Sequence, residues 1–233
     1  MEGYRFDPKF DWWTKDHHAN HKVLEDYFLE RYMPSPLRIL EIGVYEGRSM
    51  IWAVENILSQ TGESDAVYVG VDPDPAKNFE WNFELLKSKY PGVNFGLIKA
   101  YSEHFMPRMC SGQPRYGLIY VDGDHNAQGV LRDSIMAWEC LEVGGVLLFD
   151  DYEMEATDPW HYISHKEFKE HDRAKFRHPS IAIDAFLSVY RGLYEKIIDN
   201  FQVGIIKRVE LGAKNLAHGD NSQGGFEYHA KKE

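Results

Sequence analysis

The sequence predicts a doubly wound α/β domain with a mostly parallel, seven-stranded sheet that ends in a C-terminal antiparallel hairpin. Short apolar runs alternate with segments of helical spacing along most of the chain, as expected for successive strand–helix–strand units around a parallel sheet. These runs are apolar on both faces instead of alternating, which indicates that helices cover both sides of the sheet. Near the C-terminus two further short runs are joined by a tight turn, which predicts the antiparallel pair.

Turn residues or helical segments bound each of the five runs that we expect to form parallel strands. Pro34 and Pro36 end a preceding helix of roughly residues 18–32, and the first strand follows them. Strands are predicted at 38–43, 67–72, 93–98, 118–122 and 146–150, helices at 49–58, up to Leu85, at 127–141 and at 181–194, and the hairpin at 195–199 and 202–208.

One domain over residues 1–210 accounts for these elements, because 233 residues suit a single core and no linker divides them. Its core would span 36–208, after an aromatic and histidine-containing segment at 1–35. A charged, His-rich insert at 152–179 is long enough for a lid, a second metal site or a solvated loop. The polar tail at 211–233 is expected to be flexible.

Composition limits the classes of partner and the cellular locations that we expect for this protein. The net charge of −11 repels phosphate backbones, which argues against a nucleic-acid substrate. No apolar run approaches the ~20 residues of a membrane span, and residues 1–20 are too charged for a signal peptide. The two cysteines, Cys110 and Cys140, are expected to be reduced thiols in a cytoplasmic protein. A small-molecule partner is favoured, and a homo-oligomer is left open.

A glycine turn follows the first strand, at the carboxyl edge where doubly wound sheets bind ligands. Its G-x-x-x-G spacing, from Gly43 to Gly47, differs from the G-x-G-x-x-G of dinucleotide sites and from a P-loop. Glu41 just before it suits an amine-bearing ligand. Asp72 ends the second strand, where a carboxylate can accept hydrogen bonds from both ribose hydroxyls. The alternatives are an ordinary turn with packing glycines and a solvated or helix-capping Asp72.

Three carboxylates follow the fourth and fifth strands, which we expect to be neighbours. Asp122 ends the fourth strand, and Asp150 and Asp151 end the fifth. Carboxylates packed together are costly unless they are protonated or neutralised, and a hard cation such as Mg²⁺ neutralises them. Such a cation could bind a substrate hydroxyl and lower its pKa, with His125 as general base. Alternatively the acids cap a helix and bind loop amides, and His125 faces solvent.

The order of these motifs along the chain resembles class I S-adenosylmethionine (SAM)-dependent methyltransferases, most closely the branch with macrocin-type sugar O-methyltransferases and cephalosporin-hydroxylase-like proteins. The resemblance covers roughly residues 36–208. It rests on Leu40-Glu41-Ile42-Gly43-Val44-Tyr45-Glu46-Gly47-Arg48-Ser49, Val71-Asp72, Tyr120-Val121-Asp122-Gly123-Asp124-His125, Gly144 to Tyr152, Ala182 to Leu187 and Phe201-Gln202-Val203.

The resemblance implies a Rossmann-like fold, SAM as cofactor, a divalent cation such as Mg²⁺, and a role for each matching residue. The cofactor-binding residues would be Glu41, Gly43, Gly47, Ser49, Asp72, Ser102 and Asp122, with the first three shaping the methionine pocket, Asp72 holding the ribose and Ser102 near the adenine. Asp122, Asp150 and Asp151 would bind the metal, and Asp122 and His125 would be catalytic. Asp124, a second acid in this motif, could compete for the metal.

The function expected from these features is metal-assisted O-methylation of a small hydroxylated acceptor, a sugar or a secondary metabolite. The alternatives are a metal-independent N- or carboxyl-methyltransferase, a nicotinamide-dependent oxidoreductase, which the missing G-x-G-x-x-G disfavours, and a non-catalytic scaffold. The segment Phe10 to His21 either covers a pocket with its aromatics or packs as a helix on the sheet edge.

Overall fold

The computed structural model describes residues 3–8, 15–32, 36–61, 65–110, 115–154 and 178–209. The helices are α1 (Lys15–Tyr32), α2 (Arg48–Ala53, continued by a π-helical segment Val54–Leu58), α3 (Phe79–Lys89), α4 (Ser102–Cys110), α5 (Ala127–Cys140) and α6 (Pro179–Val189). The strands are β1 (Arg38–Ile42), β2 (Val67–Val71), β3 (Asn94–Ile98), β4 (Tyr116–Val121), β5 (Leu141–Phe149), β6 (Tyr194–Asp199) and β7 (Val203–Lys207).

The strands form one seven-stranded sheet in the order β3-β2-β1-β4-β5-β7-β6. The first five strands of this order pair in parallel, whereas β7 pairs antiparallel with both β5 and β6. The predicted fold class and the predicted hairpin are therefore confirmed. The strands β1 to β3 extend the sheet to one side and the strands from β4 onwards extend it to the other, and this switch point between β1 and β4 opens a crevice above the strand ends.

Helices cover both faces of the sheet, as the two-sided apolar strands predict. Helices α1, α2 and α3 pack on one face, where they bury side chains such as Leu24, Met50 and Phe83 against β1, β2 and β4. Helices α4, α5 and α6 pack on the other face around Trp138 and Phe186. Both faces of the central strands are thereby removed from water, which is the main source of stability in such a fold.

Strand β5 is longer than predicted. It begins at Leu141, directly after α5, instead of after the two glycines. Gly144 lies within the strand at φ 81° and not in a turn, and the register against β4 shifts close by. At φ 81° a side chain at position 144 would be strained, and its Cβ would also displace the Arg31 guanidinium, which lies 2.0 Å from that place. The glycine pair Gly144-Gly145 predicts a turn, but in the structure it forms a bulge within β5.

Helix α6 ends earlier than predicted, at Val189 instead of Tyr194. Gly192 follows at φ 85°, and β6 starts two residues later. The left-handed glycine reverses the chain, so apolar residues after the helix belong to the turn and the strand.

The N-terminal segment packs against the first helical layer. Arg5 pairs with the buried side chain of Asn82 on α3 through two hydrogen bonds of 2.8 Å, one from its backbone N–H and one to its carbonyl. Helix α1 then runs from the carboxyl edge of the sheet to the start of β5, where Tyr27 donates to the Gly144 carbonyl at 2.6 Å. Residues 9–14 lie outside the described residues, so the pocket-covering role is tested only for 15–21, which pack as a helix.

Two expectations about the chain's environment can be compared with the structure. Cys140 is disulfide-bonded, so the expectation of two reduced thiols is wrong. None of the helices in the described ranges is long and apolar enough to cross a membrane. Most of the predicted insert, 155–177, and the whole tail, 211–233, lie outside the described residues.

Candidate active site

A cavity of about 230 Å³ opens at the carboxyl edge of the sheet, where β1, β2, β4 and β5 end. The glycine turn, the end of β2 and both acid motifs meet there because all four strands are parallel. The lining residues are Gly43, Tyr45, Asp72, Asp122, Gly123, His125, Asp150, Asp151 and Met154.

The two glycines of the turn differ in role. Gly43, at φ 84°, lines the cavity, and a Cβ on it would lie 2.0 Å from the backbone oxygen of Asp122. Only glycine therefore allows β1 and β4 to end side by side at the site. Gly47, at φ 81°, is buried and precedes α2, where a Cβ would press on Met50 and Phe79. Its role is in packing, since it does not line the cavity.

Glu41 is buried in β1 and points away from the cavity. Its carboxylate accepts hydrogen bonds from the hydroxyls of Ser49 and Tyr68. Burial raises the pKa of Glu41 to about 7, against the opposing effect of these two hydrogen bonds. Glu41 and Ser49, both expected at the cofactor, thus lie beneath the glycine turn and support it.

Asp72 lines the cavity and also holds the glycine turn. Its Oδ2 accepts the backbone N–H groups of Val44 and Tyr45 at 3.0 and 3.3 Å, and its Oδ1 accepts that of Asp74 at 2.8 Å. Each carboxylate oxygen has two lone pairs, so acceptor capacity remains for a ligand hydroxyl. Tyr45, held between these contacts at φ 43°, also lines the cavity and was not singled out from the sequence.

Ser102 begins α4 and is buried away from the cavity lining. Its hydroxyl donates to Asp133 of α5 at 2.6 Å. Burial raises the pKa of Asp133 to about 6, although this hydrogen bond lowers it. The pair joins α4 to α5 and, in this arrangement, does not face the cavity where a cofactor would lie.

Three ligand atoms of the acid motifs converge on the cavity. One oxygen each from Asp122 and Asp151 and one ring nitrogen of His125 lie within 4.8 Å of one another. His125 Nε2 is 3.3 Å from Asp151 Oδ2. Burial raises the pKa of Asp122 well above its usual range, and the nearby carboxylates of Asp150 and Asp151 add to this effect.

Asp150 also lines the cavity, but it lies outside this converging group and is held by other residues. Tyr120 donates to its Oδ2 at 2.6 Å, and Gln202 and the Asp151 amide donate to its Oδ1 at 3.2 and 3.0 Å. The imidazole of His17 lies 3.8 Å from the same oxygen. Burial opposes ionisation, but His17 and the hydrogen bonds outweigh it and hold the pKa of Asp150 below its usual range.

Asp124 is turned away from this group. Its Oδ1 accepts the backbone and side-chain N–H groups of Asn126 at 3.0 and 2.7 Å, an arrangement that starts helix α5. Its other oxygen packs over Gly129, where a Cβ would lie 2.1 Å away. The second acid of the motif thus has a structural partner of its own.

The donor set fits a hard divalent cation. Carboxylate oxygens and an imidazole are ligands that Mg²⁺ and Mn²⁺ accept. Burial raises the pKa of Asp122 and the nearby carboxylates add to this effect, and a cation between Asp122 and Asp151 would relieve the repulsion between them. Asp150 was expected as a third ligand, but it lies outside the converging group, whereas His125 lies inside it.

Comparison with known proteins agrees with this geometry. A family model described as a methyltransferase domain matches residues 40–152. The uncharacterized protein R132 of Acanthamoeba polyphaga mimivirus is 27% identical over 140 residues, which cover 58% of this chain and 60% of that protein. This chain therefore spans less than two thirds of that relative.

Solved structures share the fold at low identity. The mycinamycin-pathway methyltransferase MycE, in complex with Mg and SAH (S-adenosylhomocysteine), aligns with a TM-score of 0.58 at 15% identity, over 87% of this chain and 52% of MycE. The O-methyltransferase TomG of Streptomyces achromogenes, in complex with SAM, aligns at 0.54 and 13% identity, over 88% of this chain and 92% of TomG. The methyltransferase PaMTH1 of Podospora anserina, bound to SAH, aligns at 0.55 and 19% identity, over 88% and 83%.

The matched family model covers β1 to the acids after β5, which is the part of the chain that builds the cavity. The overall fold is shared with these methyltransferases over 87% and 88% of this chain. Residues 40–152 therefore match a methyltransferase-domain model, and the chain shares its fold with solved methyltransferases that are bound to SAM or SAH.

Proposed function

We propose that this protein transfers the methyl group of SAM to a hydroxyl oxygen of a small acceptor, a sugar or a secondary metabolite, with the help of a divalent cation. One observation carries the proposal. Asp122, His125 and Asp151 converge on the same cavity that Gly43 and Asp72 line, so cofactor and acceptor groups would meet there.

The ends of β1 and β2 form the side of the cavity that would bind the methyl donor, SAM. SAM supplies an electrophilic methyl group when bound. Gly43 lets the cofactor approach the backbone, and Asp72 keeps acceptor capacity for one ribose hydroxyl beside its three contacts to backbone N–H groups. Glu41, Ser49 and Gly47 act indirectly, because they fix the turn from beneath.

The acceptor side is formed by the ends of β4 and β5. A cation bound by Asp122 and Asp151 would lower the pKa of the acceptor hydroxyl. His125 accepts the hydroxyl proton at a ring nitrogen, and the Asp151 carboxylate 3.3 Å away stabilises the resulting imidazolium. Met154, a buried apolar residue of the lining, helps to exclude water. Asp150 fixes the position of its neighbour Asp151.

The relatives of known structure support this proposal at the level of their own descriptions. MycE has been seen with Mg, SAH and mycinamycin VI, and TomG is described as an O-methyltransferase. Because this chain spans about half of MycE, the acceptor of MycE is not transferred to it.

Binding of SAH in EDTA and in excess Mg²⁺, followed by calorimetry, tests the cofactor and the cation separately. Methyl transfer from labelled SAM to a panel of hydroxylated small molecules then tests the reaction. We expect Asp151→Asn to keep SAH binding and to lose at least tenfold in cation affinity and activity. Asp124→Asn is the matched control, because Asp124 lies in the same motif but bonds to Asn126.

The alternatives predict different results. Absence of SAH binding under both conditions would refute SAM dependence, and NADH fluorescence would then test an oxidoreductase. If the rate of methyl transfer is changed neither by EDTA nor by Asp151→Asn, a metal-independent N- or carboxyl-methyltransferase would be favoured. SAH binding without transfer to any acceptor would favour a scaffold.

A further inference from the structure

A chain of buried side-chain amides joins helix α1 to the back of the acid cluster. Gln202, just before β7, is fully buried. Its Nε2 donates to the Tyr120 hydroxyl at 2.9 Å and to Asp150 Oδ1 at 3.2 Å, and its Oε1 accepts from Asn20 Nδ2 at 2.9 Å. Buried amides without partners are costly, and every polar atom of this amide has one.

Chemistry defines the orientation of the Gln202 amide. Tyr120 donates its own proton to Asp150 Oδ2 at 2.6 Å, so its oxygen is left to accept from Gln202. The opposite orientation would place the amide carbonyl against the Asp150 carboxylate, where two acceptors repel. The donor end of Gln202 therefore faces the acid, and the acceptor end faces α1.

The same amides attach α1 to the hairpin turn. Asn20 and Asn200 exchange side-chain hydrogen bonds of 2.9 and 2.8 Å. Asn200 also closes the turn, because its Oδ1 accepts the Gln202 N–H and its own N–H donates to the Gln202 carbonyl, both at 3.0 Å. Docking of α1, closure of the turn and the position of Gln202 are thus one cooperative arrangement.

This arrangement acts on Asp151 through Asp150. Asp151 has φ 60°, a left-handed conformation that costs a non-glycine residue free energy and persists only where neighbours hold it. Its N–H donates to Asp150 Oδ1, the oxygen that also accepts from Gln202. The left-handed turn directs the Asp151 carboxylate towards His125 and Asp122.

We propose that Gln202 and Asn20 are positioning residues, which hold the Asp150 carboxylate so that Asp151 keeps its left-handed backbone and faces the cation site. The part that concerns a cation rests on the proposed function, whereas the part that concerns the Asp151 backbone does not. Helix α1 is thereby part of the catalytic machinery although none of its described residues lines the cavity.

Amide hydrogen exchange in cation-free protein tests the backbone part. In Gln202→Met, which keeps the side-chain length and loses both polar ends, we expect the Asp151 N–H to exchange at least tenfold faster at unchanged global stability of β5. Asn20→Leu should show the same effect, to a smaller extent. Asn82→Leu is the control, because Asn82 is equally buried but its hydrogen-bond partners are Arg5 and the Glu46 carbonyl and not the acids.

Titration with Mn²⁺, followed by the paramagnetic resonance of the free ion, tests the positioning of the ligand. Residues that orient metal ligands typically contribute 10- to 100-fold to metal affinity. We expect Gln202→Met to weaken Mn²⁺ binding by about tenfold or more and Asn82→Leu to leave it unchanged. If Gln202→Met does not fold, Gln202→Glu keeps the volume and the acceptor for Asn20 but removes the donor that faces Asp150.

The outcomes separate the two proposals. A wild-type protein that binds no Mn²⁺ would refute the proposed cation, and the exchange rate of Asp151 would still decide the positioning role. Unchanged exchange in the Gln202 variant, or a change that Asn82→Leu reproduces, would overturn the inference. Faster exchange with unaltered Mn²⁺ affinity would overturn its claim on the cation site.

Discussion

The buried carboxyl of Glu41 makes a quantitative prediction about stability and pH. Its pKa is raised from 4.5 to about 7, chiefly by burial. At about 1.4 kcal/mol per unit, this shift corresponds to about 3 kcal/mol. Because the folded state binds the proton more tightly than the unfolded state, this stabilisation is present below pH 4.5 and is lost as the pH rises through 7.

The substitution Glu41→Gln removes this loss. A Gln keeps the volume and can still accept the Ser49 hydroxyl, and its amide can donate to the Tyr68 oxygen. Relative to the wild type, we expect the variant to gain about 2.5 kcal/mol in free energy of unfolding between about pH 5 and about pH 8. Two control variants accompany Glu41→Gln. Glu80→Gln replaces an exposed carboxylate, and Tyr68→Phe removes a hydrogen bond that lowers the pKa of Glu41.

Urea unfolding at four pH values, followed by far-UV circular dichroism, measures the difference. Tyr68→Phe should move the midpoint of the wild-type pH dependence to higher pH, since one of the two hydrogen bonds that lower the pKa of Glu41 is lost. A difference between Glu41→Gln and the wild type that does not vary with pH, or varies no more than Glu80→Gln, would refute the reasoning. The Glu41 carboxyl would then be hydrated or ionised in the folded protein.

Three further predictions concern the site and its supports. Gly43→Ala should destabilise the folded protein by more than the ~1–2 kcal/mol that a left-handed conformation costs, because the added Cβ also meets the Asp122 backbone oxygen at 2.0 Å. SAH binding, measured by calorimetry, should be lost. Wild-type affinity for SAH would contradict the close packing of β1 and β4. In thermal unfolding, Asp133→Asn should be more stable than the wild type above about pH 6 and no more stable near pH 4, because burial raises the pKa of Asp133 to about 6. A difference in stability that is the same at every pH would argue against a buried carboxyl. His125→Gln should lower the rate of methyl transfer by at least 100-fold, whereas the affinity for Mn²⁺ should fall by less than tenfold. Equal losses in rate and in Mn²⁺ affinity would make His125 a cation ligand instead of the base.

Much of the fold follows from local patterns. Each parallel strand is a run of residues that is apolar on both faces, and such runs are buried between helices wherever they occur. Predicted and observed strands therefore differ mainly at their ends, as at Leu141 and Tyr116. The error at Gly144 has a physical cause. A glycine with positive φ suits a turn and a bulge equally, and only the pairing of β5 with β4 from Leu141 onwards distinguishes them.

The candidate site was predictable as a set of motifs but not as a set of contacts. Parallel strands end at one edge, so Gly43, Asp72 and the acids had to lie near one another. Nothing local indicated that Glu41 would turn beneath the glycine turn to Ser49 and Tyr68. Ser102, likewise, found its partner in Asp133, 31 residues further along the chain.

The sequence by itself determined the architecture and the edge of the sheet at which the glycine turn, Asp72 and the acids meet, because these depend on residue type and on period along the chain. The tertiary structure alone decided which of two adjacent carboxylates joins the group of ligand atoms formed with Asp122 and His125. Asp150 and Asp151 are adjacent and chemically identical, yet Gln202 and Tyr120 hold the first while a left-handed turn presents the second to His125. Hydrogen-bond partners from distant strands make that choice, since an ionisable side chain at a strand end takes the direction in which its charge is best satisfied.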